Sequence, residues 1–212
     1  RAMGRLLEAE LDAGAWGFST GLAYMPGCFA DFKELRYLAE ITAEYNGVYT
    51  SHIRNQGNEL LESVDEAIRV AEETGVAVII SHLKAYGPKN WGKAAAALER
   101  MAAARKSGLR VMADFYPYDS SESTLMYELP EWAKAGGVEE LLRRLTDTEQ
   151  KRKMERELEN NGEIRWDRVI VSSVKKDENR QSVGKTIASI AEENGMRNFD
   201  VVAELLQSEQ GG

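Results

Sequence analysis

The chain has 212 residues, 43% of them hydrophobic, and a formal net charge of -8. That length carries a domain with a sizeable core, and the composition is that of a globular protein rather than a disordered one. An acidic chain gains nothing by neutralising phosphates, so no nucleic-acid partner is expected; no apolar run approaches the roughly 20 residues of a bilayer span, so no membrane is expected; and the single cysteine, Cys28, excludes an internal disulfide and points to a reducing, cytoplasmic setting.

The first two thirds repeat one pattern: a short apolar run, a polar turn and an amphipathic helix. Residues 15–22 (AWGFSTGL) read as the first strand. A helix over 31–46 follows, with Asp31 and Glu34 as its capping box. Residues 47–52 (GVYTSH) are the second strand, and the helix after it is predicted to be capped by Asn58 and stopped by Gly75. Residues 76–82 (VAVIISH) form the third strand, an almost continuous β-branched run that suits a parallel strand covered on both faces. A helix over 93–106 and a fourth strand over 109–115 complete the pattern.

Equivalent positions Ser19, His52, His82 and Asp114 recur at intervals of 33, 30 and 32 residues. A (β/α)₈ barrel of about 250 residues averages roughly 31 per unit. The spacing therefore argues for part of a TIM barrel, with a doubly wound open sheet as the alternative that spacing alone leaves open. After Asp114 the pattern breaks, and residues 116–118 lead into a polar loop. One or two charged helices over 136–160, a short strand over 168–173 and helices over 186–194 and 200–207 read as a mainly helical excursion. The expected organisation is thus half-barrel βα units over 1–118 and a loop and mainly helical insertion over 119–212.

The chain holds only two histidines, and both are predicted at strand ends, as Ser51-His52-Ile53-Arg54 and Ser81-His82-Leu83-Lys84. In parallel α/β folds the carboxyl ends of the strands build the site. Neighbouring strands lie about 4.8 Å apart, so two such imidazoles can reach one metal ion. Metal ligation and plain hydrogen bonding are then about equally supported. Asp114 is a weak third candidate, since an Asp there also serves to fix a loop. Lys84 or Arg54 could hold a substrate carboxylate, though taken alone each reads more readily as a solvated loop charge; Tyr116 could donate to a carbonyl oxygen or be an amphipathic loop aromatic. Cys28 carries no mark of a reactive thiolate.

The runs AWGFSTGLAY (15–24), VYTSHIRNQG (48–57), VIISHLK (78–84), DFYPY (114–118) and FDVVAEL (199–205) occur in that order. Together they resemble the D-aminoacylase (N-acyl-D-amino-acid deacylase) branch of the amidohydrolase superfamily, over nearly the whole chain. The resemblance implies a zinc-dependent hydrolase on a TIM barrel, cleaving N-acyl-D-amino acids to a D-amino acid and a carboxylate. His52 and His82 would be metal ligands ending the fifth and sixth barrel strands. Lys84 and Tyr116, and with less support Arg54, would contact the substrate. The family's first-strand His-x-His pair and its cysteine ligand are absent, and Cys28 is not that cysteine. The general-base aspartate would lie beyond Gly212. The chain thus resembles strands four to seven plus the segment before strand eight. It is expected to be inactive alone and to self-associate through open barrel edges. A cyclic-amide hydrolase of the dihydroorotase or hydantoinase kind, and a metal-free α/β binding module, are the competing readings.

Overall fold

The computed structural model describes residues 2–211. It divides into two compact units, one ending at Pro117 and the other beginning at Tyr118. Arg1 and Gly212, the outer limits of the two predicted segments, lie outside the described residues.

The first unit opens with a helix that strand-based pattern reading does not anticipate, α1 (Ala2–Asp12). It continues as β1 (Gly17–Gly21), α2 (Phe32–Glu44), β2 (Val48–His52), α3 (Leu60–Thr74), β3 (Ala77–Ile80), α4 (Lys93–Lys106) and β4 (Val111–Ala113). The strands lie side by side in chain order, every pair parallel. An open doubly wound sheet reverses its strand order at a switch point; this sheet does not, and it forms an arc of a barrel.

Local chemistry sets the boundaries. Asp31 caps α2 by accepting from the Glu34 N–H at 2.9 Å. Gly75, at φ 74°, ends α3 in the left-handed conformation that only glycine adopts cheaply. The predicted Asn58 cap of α3 is not formed: Glu59 stands at the cap position without a side-chain bond. Asn58 is drawn instead toward Asn90, whose Nδ2 donates to its side chain at 3.2 Å. Asn55 Oδ1 accepts from the N–H groups of Gly57 and Glu59, and so orders the turn before α3.

The sheet has two unlike faces. Phe18, Tyr49, Val78 and Val111 lie in register across it and pack with Leu35, Leu60, Val64 and Met101 of the helices. The Phe18 and Tyr49 rings stack at 4.6 Å. On the other face Ser19, Thr50, Ile79 and Met112 are in register; Ile79 is half-buried and Met112 exposed. The apolar run of β3 therefore does not mark a strand covered on both faces by this unit.

The second unit is helical: α5 (Glu131–Lys134), α6 (Val138–Thr146), α7 (Thr148–Asn161), α8 (Ile187–Asn194) and α9 (Asn198–Ser208). Leu141, Leu145, Met154, Ile187, Phe199 and Val202 form its core. Asp147 caps α7 and Thr186 caps α8. The strand predicted over 168–173 reduces to one antiparallel bridge, Ile170 to Thr186, because no neighbouring strand extends the pairing among the described residues. No helix of the described residues is long and apolar enough to cross a membrane.

Candidate metal centre

His52 is the last residue of β2, where its carbonyl accepts from the Leu22 N–H at 2.9 Å. His82 is not at a strand end, as the matched motifs predict; it stands two residues beyond β3 with φ 41°, an uncommon conformation for a residue with a side chain. Three bonds to Asp114 hold it there. The Asp114 N–H donates to the Ile80 carbonyl at 3.1 Å, its carbonyl accepts from Leu83 N–H at 3.0 Å, and its carboxylate accepts from His82 N–H at 2.5 Å. Asp114 thereby takes the structural of its two predicted roles, with its carboxylate on the backbone rather than on the histidine rings.

The turn at His82 swings its ring onto that of His52. The ring centroids are 4.5 Å apart at 72°, and His52 Nδ1 lies 3.1 Å from His82 Nε2. Two nitrogens bound tetrahedrally to one zinc ion at roughly 2.0–2.1 Å stand about 3.3 Å apart, so the facing pair has the bite of a two-histidine ligand set. Burial lowers the pKa of His52 to about 4, with His82 and Lys84 adding to it. Burial, then Lys84, lowers that of His82. Both rings are thus held neutral, the form that binds metal. Among the described residues no group of three or more His, Cys, Asp or Glu side chains could hold a metal ion, so the pair is a partial donor set.

Aromatic and cationic groups border the pair. The Tyr24 ring meets His52 edge-on at 4.8 Å, and the Tyr116 ring lies 6.4 Å from His82. Lys84 Nζ sits 3.5 Å from His82 Nδ1, 3.4 Å from the His82 carbonyl and 5.4 Å from the Tyr116 ring centre. Burial lowers its pKa to about 8. The structure therefore brings four of the predicted residues together: His52, His82, Lys84 and Tyr116.

Arg54 is turned elsewhere. Its guanidinium donates to both oxygens of Glu66 at 3.2 and 3.0 Å, and to the carbonyls of Cys28 and Ala30 at 2.9 and 3.0 Å. It ties the loop after β1 to α3. Cys28 is buried within that loop. Gln56, which no pattern in the sequence singles out, is 1% exposed and places its amide nitrogen 3.1 Å from His82 Nδ1. The one signal for it is its place in the run that carries His52.

No family model matches the chain. Curated and solved proteins do. An N-acyl-D-glutamate deacylase of Alcaligenes xylosoxydans xylosoxydans is 48% identical over 128 residues, covering 60% of this chain and 26% of that protein. The chain is also similar to the crystal structure of an N-acyl-D-glutamate deacylase from Bordetella bronchiseptica, complexed with zinc and a phosphonate inhibitor. That likeness has a TM-score of 0.74 at 32% identity, over 96% of this chain and 36% of the other. In sequence and in fold the chain is similar to the D-aminoacylase branch of the amidohydrolase superfamily. A solved D-aminoacylase, described as defining a novel subset of amidohydrolases, aligns over the same 96% with a TM-score of 0.68 at 26% identity, covering 35% of that structure. Relative to these D-aminoacylases, the chain spans about a quarter of the curated relative and about a third of the solved ones.

Proposed function

We propose that this chain supplies part of the active site of a zinc-dependent N-acyl-D-amino-acid deacylase, with His52 and His82 as two metal ligands. The observation that carries the reading is the facing of two neutral imidazole nitrogens at 3.1 Å. Zinc, when bound, supplies a Lewis acid toward the scissile amide. Lys84, a half-buried cation beside the pair, holds the carboxylate of the substrate. Tyr116 donates a hydrogen bond to the acyl oxygen. The 48% identity to an N-acyl-D-glutamate deacylase supports an acidic D-amino acid as the substrate's amine half. The relatives are deacylases of N-acyl-D-amino acids, which leaves the cyclic-amide reading without support. The lone buried thiol fits a cytoplasmic setting.

Two ligands do not complete a catalytic zinc site, which takes three protein ligands and an open position. The 212-residue chain by itself is therefore inactive. Equilibrium dialysis with zinc tests the ligand assignment: wild type retains metal, and His52→Ala or His82→Ala loses it. Equal zinc content in all three would favour a metal-free binding module. Turnover of an N-acyl-D-glutamate by the isolated chain would overturn the partial-site reading.

A further inference from the structure

Gln56 has an amide whose two ends are unequally served. Its nitrogen lies 3.1 Å from His82 Nδ1, 3.5 Å from the Ser81 carbonyl and 3.4 Å from the His82 carbonyl. Its oxygen is buried and has no hydrogen-bond partner among the described residues. A buried amide oxygen without a donor is uncommon and calls for a reason.

The tautomers supply one. An amide N–H donating to His82 Nδ1 leaves the ring proton on His82 Nε2. That proton then points at His52 Nδ1, 3.1 Å away. The chain Gln56 to His82 to His52 is consistent, but it occupies the nitrogen that a metal would need. For a metal to take His82 Nε2, the proton must move to Nδ1, and Nδ1–H then requires an acceptor. The only change needed at Gln56 is a half-turn of its amide, which brings the unserved oxygen to Nδ1. The turn gives up the two long carbonyl contacts of the nitrogen and moves its N–H groups to the side where the oxygen has no partner, so the new Nδ1–H to amide oxygen bond must outweigh that cost. His52 needs no such change, because the same chain already leaves its Nδ1 as an acceptor. Lys84 Nζ, the other polar neighbour of His82 Nδ1, stands at 3.5 Å and also donates to the His82 carbonyl, so it has a second place to rest.

We propose that Gln56 is a positioning residue that sets the His82 tautomer: its amide donates to Nδ1 when the ring proton is on Nε2 and turns over to accept from Nδ1–H when a metal takes Nε2. The proposal rests on the metal-ligand reading of His52 and His82. Outer partners of this kind orient ligand histidines, and their loss typically costs about 10–100-fold in metal affinity.

The chain contains only two histidines, so nitrogen-15 NMR of histidine-labelled protein resolves every ring nitrogen. At a pH near 8, wild type without metal should show the His82 proton on Nε2; with excess zinc it should move to Nδ1. Gln56→Glu can only accept, so it should place the proton on Nδ1 before zinc is added and keep zinc affinity at or above wild type. Gln56→Leu should give mixed tautomers and lose about 10-fold or more in zinc affinity by chelator competition. If Gln56→Glu leaves the metal-free His82 tautomer as in wild type while zinc still shifts both histidines, Gln56 does not set the tautomer, and the ligand assignment stands. If wild type holds the proton on Nδ1 both with and without zinc, the turnover of the amide is overturned even where neither variant folds. If zinc shifts neither histidine of wild type, the metal reading falls and takes this proposal with it.

Discussion

The carboxylate of Asp114 accepts a hydrogen bond at 2.5 Å from the backbone N–H of His82, the residue that leaves β3 with φ 41°. This bond couples the end of β4 to the direction of a ring on the neighbouring strand. Removing the acceptor in Asp114→Ala leaves a conformation that a non-glycine residue adopts at a cost without its main support. Asp114→Ala should lose about 1–2 kcal/mol in denaturant unfolding. It should also weaken zinc binding at the His52–His82 pair. Asp114→Asn retains an oxygen acceptor and should recover most of both. Unchanged zinc affinity in Asp114→Ala would show that the turn holds itself.

Arg54 and Glu66 predict a different phenotype. Their pair is largely shielded, with side chains 24% and 21% exposed, and Arg54 also satisfies two loop carbonyls. Arg54→Met should cost about 1.5–3 kcal/mol, the range for hydrogen bonds to charged groups. Zinc binding by the folded variant should match wild type. A specific loss of affinity for substrate carboxylate, with stability intact, would return Arg54 to the role its sequence position suggests.

The histidines make stability depend on pH in a defined direction. His52 titrates near 6.5 when unfolded and at about 4 when folded, because burial disfavours its charged form. Between those values the unfolded chain binds a proton that the folded chain refuses. Stability is therefore fully present above pH 6.5 and declines as pH falls toward 4. His82, lowered in the same sense, adds to the decline. Lys84 acts at the other end. Its pKa falls from 10.5 to about 8, so stability rises with pH between those values. Urea midpoints across pH 4–7 should fall with acidification in wild type and less steeply in His52→Gln. Parallel curves for the two would contradict the shift.

The edges of the sheet predict association. Among the described residues β1 and β4 each have one strand neighbour, and Met112 and Phe115 are 47% and 79% exposed. Arg105 covers one β4 carbonyl, that of Val111, at 3.0 Å. Open parallel edges with apolar flanks recruit further strands. Sedimentation of the 212-residue chain should show concentration-dependent species larger than a monomer, and Phe115→Lys should reduce them. A monodisperse monomer at all concentrations would refute this.

Periodicity alone was enough to determine the βα repeat, the helix over Lys93–Lys106, the cap at Asp31 and the candidacy of His52 and His82, because these depend on neighbours a few residues away. The run of motifs was enough to place the chain beside the D-aminoacylases. Tertiary structure decided which polar groups face which. Arg54 and Lys84 each follow a histidine by two residues, yet one turns to Glu66 and the other stays at the site, since only folding brings α3 beneath the first. The left-handed turn at His82 depends on a carboxylate 32 residues away, and the contact of Gln56 with its ring spans 26. Hydrogen bonds over such separations leave no period in a sequence, so the pairing of the two imidazoles and the residues that orient them are properties of the folded chain.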